Sequence, residues 1–168
     1  MQTNDAALAA LAGDLGRTLS TAGLRLALAE SCTGGWIAKV ITDIAGSSTW
    51  FERGFVSYSN EAKSELLGVP PEVLAQEGAV SEAVVRLMAE GALQRSRADV
   101  AAAVSGIAGP GGGSAQKPVG MVCFAWSGLG SATAVETVVF PGDREAVRRQ
   151  TVGHALQRLA SLLDSAVK

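Results

Sequence analysis

Histidine and cysteine are almost missing from this 168-residue chain, which has one histidine, His154, and two cysteines, Cys32 and Cys123. The cysteines stand far apart with no CxxC pair, so neither a disulfide framework nor a zinc knuckle is indicated. One histidine cannot build a conventional zinc site, and no acidic cluster suggests a carboxylate-held ion. The chain is therefore expected to work without metal or cofactor. Aromatic residues make up only 5%. No charge run occurs, and a formal net charge of -2 gives no general attraction for nucleic acid or anionic membrane. No apolar run approaches the roughly 20 residues that span a bilayer. The N-terminal segment lacks the basic start of a signal peptide and carries Asp5 and Asp14. A soluble, cytoplasmic protein is expected.

What the chain does have is alanine, glycine and aliphatic residues, with 48% hydrophobic against 18% charged. That composition belongs to a globular chain, and close packing of small side chains should carry much of its core. No internal repeat or long linker divides it, so residues 1–168 are expected to form one domain.

Residues 3–21 read as a helix with Leu8, Leu11, Leu15 and Leu19 on one face and Gly23 as its stop. Leu24, Leu26 and Leu28 alternate towards Glu30 as a strand. Ser31-Cys32-Thr33-Gly34-Gly35 then turns the chain into a helix striped by Ile37, Val40, Ile41 and Ile44. Residues 51–58 read as a strand, with Ser59-Asn60 capping a short helix that Gly68 closes. Pro70-Pro71 opens a turn, and Ser81 caps a helix carrying Val84, Val85, Met88 and Ala92. Residues 99–107 form a buried-looking strand, 119–126 and 132–140 an antiparallel pair. A last helix begins near Asp143 and buries Val152, Leu156, Leu159 and Leu163. This order predicts a three-layer α/β/α sandwich with a mixed, mostly parallel sheet.

Two features carry chemistry. The first is Ser31, a hydroxyl on a strand-to-helix turn, where unpaired N–H groups such as those of Thr33 and Gly34 can meet an oxyanion. The plainer reading makes Ser31 or Thr33 a simple helix cap. Off the apolar stripe, His154 reads as a solvated surface residue rather than a triad base. Lysine is then the natural base, with Lys39, Lys63, Lys117 and Lys168 as candidates. Lys63 lies one helical turn past Tyr58-Ser59-Asn60, and a lysine held against apolar surface can accept a proton near neutrality. Its plainer reading is a solvated helix lysine, and that of Tyr58 a half-buried strand aromatic.

The second is the segment Val104-Ser105-Gly106-Ile107-Ala108-Gly109-Pro110-Gly111-Gly112-Gly113, whose glycines permit close backbone approach to a phosphate. It is neither a Walker loop nor a dinucleotide fingerprint, because no Gly-Lys-Ser/Thr ending follows and Lys117-Pro118 leads into a strand. A flexible connection is the other reading. Arg144, at the start of the last helix, is placed either to clamp a phosphate or to face solvent.

Taken in order, these stretches resemble the CinA C-terminal-domain family, whose stand-alone members act as nicotinamide-nucleotide amidases. The resemblance rests on Ala29-Glu30-Ser31-Cys32-Thr33-Gly34-Gly35, Gly46-Ser47-Ser48, Val56-Ser57-Tyr58-Ser59-Asn60 with Lys63, and Gly78-Ala79-Val80-Ser81. It continues through Gly106-Ile107-Ala108-Gly109-Pro110-Gly111-Gly112, Lys117-Pro118-Val119-Gly120 and Phe140, Gly142, Asp143 and Arg144. It implies hydrolysis of nicotinamide mononucleotide to nicotinic acid mononucleotide and ammonia, with no metal. It further implies Ser31 as nucleophile, Lys63 as base and Tyr58 as a hydroxyl assisting proton transfer. Thr33 and Gly34 fall at the oxyanion. Ser48, Ser105, Gly106, Gly109, Gly111, Gly112 and Arg144 fall on the substrate. Ser105 stands where the family often has threonine, which keeps the hydroxyl and drops a methyl. Two rivals stay open: a Cys32 nucleophile, and a non-catalytic nucleotide-binding or competence-associated module. A homodimer is compatible with the composition.

Overall fold

The computed structural model describes residues 3–166. Helix α1, Asp5–Ala22, starts where the Asn4 side chain accepts a hydrogen bond from Ala7 N and stops at left-handed Gly23. Strand β1 is Leu26–Glu30, helix α2 Trp36–Thr42, and a 3₁₀ turn covers Ser47–Thr49. Strand β2, Phe51–Val56, leads to α3, Asn60–Leu67, capped by Ser59 at one end and Gly68 at the other. Helices α4, Pro71–Glu77, and α5, Glu82–Gln94, follow, then strands β3, Val100–Gly106, β4, Met121–Ser127, and β5, Ala134–Val139. Helix α6, Arg144–Ala166, closes the described chain.

The five strands lie in the order β2-β1-β3-β4-β5. Strand β1 pairs in parallel with both β2 and β3, while β4 runs antiparallel to β3 and β5, so four of the five share a direction. One face packs Leu26, Leu28, Val104, Phe124 and Trp126 against α1, α2 and α6. The other presents Ala27, Ala29, Ala101, Ala103, Cys123 and Ala125 to α3, α4 and α5. Strand alternation thus sorts large side chains to one side and small ones to the other. The small-residue face allows a close approach, and Gly91 of α5 lies so near the Leu67 carbonyl that any Cβ would overlap it. The expected α/β/α sandwich with a mixed sheet is the observed architecture.

Three local expectations need correction. Pro70-Pro71 opens a helix rather than a turn, because Pro71 takes the first helical position, where a missing N–H costs nothing. Ile44 lies beyond α2, which ends at Thr42, although its side chain still packs on the core. His154 is not a solvated residue. It is half buried among the rings of Phe124, Trp126 and Phe140, and its Nε2 stands 3.4 Å from Glu136 Oε2. Strands β4 and β5 and Phe140, just after β5, supply these neighbours, so the helical stripe alone does not reveal them.

Strand β1 sends its chain to β2 on one side, and the chain later returns to β3 on the other. The carboxyl ends of β1 and β3 therefore flank a topological switch point, where open α/β sheets form their crevice. Ser31 follows β1 there, and Ser105-Gly106 ends β3.

Candidate active site

Ser31 is fixed by its neighbours before any ligand arrives. Its N–H donates to Val104 O at 3.1 Å, tying the turn to β3, and its carbonyl accepts from Gly34 N at 3.0 Å. The cap of α2 is neither Ser31 nor Thr33. It is Glu30, the last residue of β1, whose buried carboxylate reaches forward over the turn. Its oxygens accept from Thr33 Oγ1 at 2.6 Å, Gly35 N at 3.1 Å, Ile37 N at 3.0 Å and Ala38 N at 2.8 Å. One carboxylate thus satisfies the helix start, and the Ser31 hydroxyl is left for other work.

That hydroxyl meets Lys63. The Lys63 ammonium donates to Ser31 Oγ at 3.0 Å, to Ser57 O at 2.9 Å and to Tyr58 O at 3.2 Å. Both partners are buried, Ser31 at 7% exposure and Lys63 at 1%. Every hydrogen-bond acceptor around the amine is neutral, and burial lowers the Lys63 pKa below the ordinary lysine value. Lys63 is therefore no solvated helix lysine. Sequence spacing brings Lys63 to the inner face of α3 because Ser59 caps that helix and Leu67, one turn on, packs in the core.

Of the other candidate lysines, Lys39 is exposed and paired with Asp43 at 2.6 Å, and Lys117 donates to Glu77 O at 2.6 Å. Lys168 lies outside the described residues. Cys32 is buried, and burial pushes its thiol up to about 12, so thiolate is scarce at neutral pH. Burial thus works against a Cys32 nucleophile.

Ser31, Tyr58, Lys63, Ser105, Gly106 and Arg144 all line one cleft of about 190 Å³, together with Cys32, Asn60, Ala79, Val80 and Ala108. The Tyr58 hydroxyl does not reach Ser31 or Lys63. It accepts from Arg144 Nη2 at 3.1 Å, and it is the Tyr58 carbonyl that holds the lysine. Arg144 also donates to Gly109 O at 2.8 Å, so its guanidinium bridges the tyrosine and the glycine loop across the cleft mouth. Ser105 Oγ donates to Ala79 O at 2.8 Å, which ties the 78–81 segment to the end of β3.

Several expected residues stand elsewhere. Gly34 spends its N–H on Ser31 O and is not available to an oxyanion. Cys32 N and Thr33 N, by contrast, donate to no backbone acceptor among the described residues. Gly109 is buried with φ of 85°, a backbone shape that suits glycine, and contributes its carbonyl. Gly111 and Gly112 are exposed and do not line the cleft. Ser48 is exposed in the 3₁₀ turn beside Trp50, whose carbonyl accepts from Leu26 N at the opposite end of β1. A five-residue strand therefore separates Ser48 from Ser31, about 16 Å at 3.3 Å per residue.

Sequence reasoning missed Glu30 as the cap, and it missed Arg148. Arg148 Nε donates to Cys32 O and Nη2 to Thr33 O, both at 3.0 Å, with its guanidinium 5.3 Å from the Trp36 ring centre. A charged residue ending an apolar strand was the available signal for Glu30. Arg148 sits one turn after Arg144, and only the tertiary fold shows what it reaches. Among the described residues, no three His, Cys, Asp or Glu side chains group closely enough to hold a metal ion. No described helix is long and apolar enough to cross a membrane.

The geometry places a serine hydroxyl against a buried lysine amine at one small, partly polar cleft. Residues 8–163 match the CinA C-terminal domain. A protein of Escherichia coli K12 named nicotinamide-nucleotide amidohydrolase PncC is 57% identical over 92% of this chain and 94% of its own length. A protein of the same name from Pseudomonas putida is 54% identical over 90% and 94%. The crystal structure of the competence/damage inducible protein CihA from Agrobacterium tumefaciens superposes with a TM-score of 0.90 at 46% identity, covering 93% of this chain and 95% of that one. The chain belongs to the CinA C-terminal domain family.

Proposed function

We propose that this protein is a nicotinamide-nucleotide amidohydrolase that converts nicotinamide mononucleotide and water into nicotinic acid mononucleotide and ammonia. The observation that carries the reading is the buried 3.0 Å contact between Lys63 Nζ and Ser31 Oγ, with every acceptor of the amine neutral. The names of the relatives supply the substrate, and their near full-length similarity makes the transfer reasonable.

In its neutral form, Lys63 takes the hydroxyl proton as Ser31 Oγ attacks the carboxamide carbon. The carbonyl π pair moves onto oxygen, and the N–H groups of Cys32 and Thr33 hold that oxyanion. The new lysine proton passes to the leaving nitrogen, ammonia departs, and an ester to Ser31 remains. Water then repeats the sequence: Lys63 accepts its proton, the hydroxide attacks the ester, and Ser31 recovers the proton as the acid leaves. Arg144 at the cleft mouth attracts the substrate phosphate, whose binding energy orients the carboxamide. A cleft of about 190 Å³ suits the nicotinamide end, with the ribose phosphate at the rim. In this reading the chain is one catalytic domain, active in the cytoplasm without metal or cofactor and compatible with a homodimer. Tyr58 serves by aligning Arg144 and by its carbonyl, rather than by passing a proton.

The test is to incubate the purified protein with nicotinamide mononucleotide and measure ammonia and nicotinic acid mononucleotide together. Equal release of both supports the reading. Binding of the nucleotide without release of ammonia would favour the binding-module alternative.

A further inference from the structure

Helix α6 faces the site with two arginines a single turn apart, and they do different things. Arg144 reaches across the cleft mouth, whereas Arg148 does not line the cleft. Arg148 has no carboxylate partner among the described residues, unlike its neighbour Arg149, which pairs with Asp5 and Glu145. Its guanidinium is spent on two consecutive main-chain carbonyls, those of Cys32 and Thr33, and is steadied by the Trp36 ring.

Those two carbonyls belong to the turn that carries Ser31. In a trans peptide the C=O and the following N–H point in opposite directions. Holding Cys32 O therefore aims Thr33 N–H away from α6, and holding Thr33 O aims Gly34 N–H at Ser31 O, where it is found. The Gly34 bond in turn fixes the Ser31–Cys32 peptide, so Cys32 N–H points away from that carbonyl. The two N–H groups left without backbone acceptors among the described residues, Cys32 and Thr33, are thus oriented through a chain that ends at Arg148. Glu30 holds the same turn from the other side, through Thr33 Oγ1 and Gly35 N. A positive charge on the carbonyl side also polarises the peptides and strengthens the N–H groups as donors.

We propose that Arg148 is a positioning residue for the proposed amidase reaction: it presets the 31–34 turn so that its free N–H groups meet the oxyanion formed on Ser31 attack. This inference rests on the amidohydrolase reading, and it predicts an effect on the transition state rather than on substrate binding. Displacing a positioned group by about 1 Å can cost on the order of 10²-fold in rate. Removing one oxyanion donor costs roughly 10²–10³-fold in kcat.

The experiment compares wild type with Arg148→Met, which keeps an apolar stem against Trp36, and with Arg148→Lys, which keeps the charge but cannot fork to two carbonyls. Steady-state ammonia release should show kcat reduced about 10²-fold in both, with KM within about 3-fold of wild type. Arg148→Ala assayed with added guanidinium ion should recover part of the lost kcat. Phosphonylation of Ser31 by a fluorophosphonate, followed by mass spectrometry, supplies a readout independent of the substrate. Its phosphoryl oxygen occupies the same hole, so labelling should slow at least about 10-fold in Arg148→Met. If wild type releases no ammonia yet labelling slows in the variant, the substrate assignment fails and the positioning role stands. A variant that labels at the wild-type rate, or that raises KM while keeping kcat, overturns the proposal. If Arg148→Met does not fold, Arg148→Lys decides, and wild-type kcat in that variant is the overturning result.

Discussion

Replacing Lys63 by Met separates a base from a binding group in one substitution. Methionine keeps an apolar stem of similar length in a position that is 1% exposed, but it removes the amine that contacts Ser31 Oγ, Ser57 O and Tyr58 O. General-base catalysis contributes roughly 10²–10⁴-fold, which is about 2.7–5.4 kcal/mol of barrier. The direct 3.0 Å contact, with no competing lysine among the described residues at the cleft, predicts a loss in kcat of at least that size. The pH dependence carries the signature. Burial lowers the Lys63 pKa, so wild-type activity should rise with pH through a value below the ordinary 10.5 as the amine becomes neutral. Stability follows the same sign. Below the folded pKa the ammonium is protonated in both states, and its burial cost is fully present. Between the folded pKa and 10.5 only the unfolded chain holds the proton, so stability rises with pH. Lys63→Met should flatten both slopes, read by ammonia release and by urea unfolding across pH 7 to 11. A variant that keeps kcat and its pH limb while KM rises would refute the base assignment.

The remaining predictions are briefer. Ser31→Ala should abolish ammonia release while leaving thermal unfolding and nucleotide binding near wild type, whereas Cys32→Ala should keep most of its turnover; kinetics and calorimetry on the pair decide between them. Glu30→Gln replaces a charged acceptor of four donors by an amide, so urea unfolding should show a loss of about 1.5–3 kcal/mol together with a fall in kcat. Gly91→Ala should destabilise by about 1–3 kcal/mol, because its Cβ would overlap the Leu67 carbonyl where α5 meets the end of α3; denaturation without a change in kcat per folded molecule checks it.

Elements whose signals are local were legible in the sequence. The leucine stripe ending at Gly23 and the Ser59 to Gly68 helix fall within a few residues of the observed bounds. So does the antiparallel pair near the end of the chain. Helix α4 was hidden because two prolines read equally as a turn or as a helix start. Within the site, turn and spacing made Ser31 and Lys63 candidates among others and the resemblance singled them out, but their contact spans 32 positions and needs the β1–β2 pairing to form. Glu30 escaped because capping rules look for a short polar residue at the helix start. Here the cap arrives from the preceding strand end. The direction of the Tyr58 hydroxyl escaped for a related reason. Strand alternation does not say which of its oxygens faces the lysine. Ser48 came from resemblance, and the fold puts it at the far end of β1.

The central claim is that Ser31 forms the bond to the substrate carbon, and rapid-quench mass spectrometry tests it directly. Wild type should be mixed with nicotinamide mononucleotide, stopped in acid within the first turnovers and digested. The peptide containing Ser31 should carry the acyl group of nicotinic acid mononucleotide, and ammonia equal to that ester should appear before the free acid. The same peptide from Ser31→Ala should be unmodified. An acyl group on Cys32, or undiminished ammonia release from Ser31→Ala, would contradict the account.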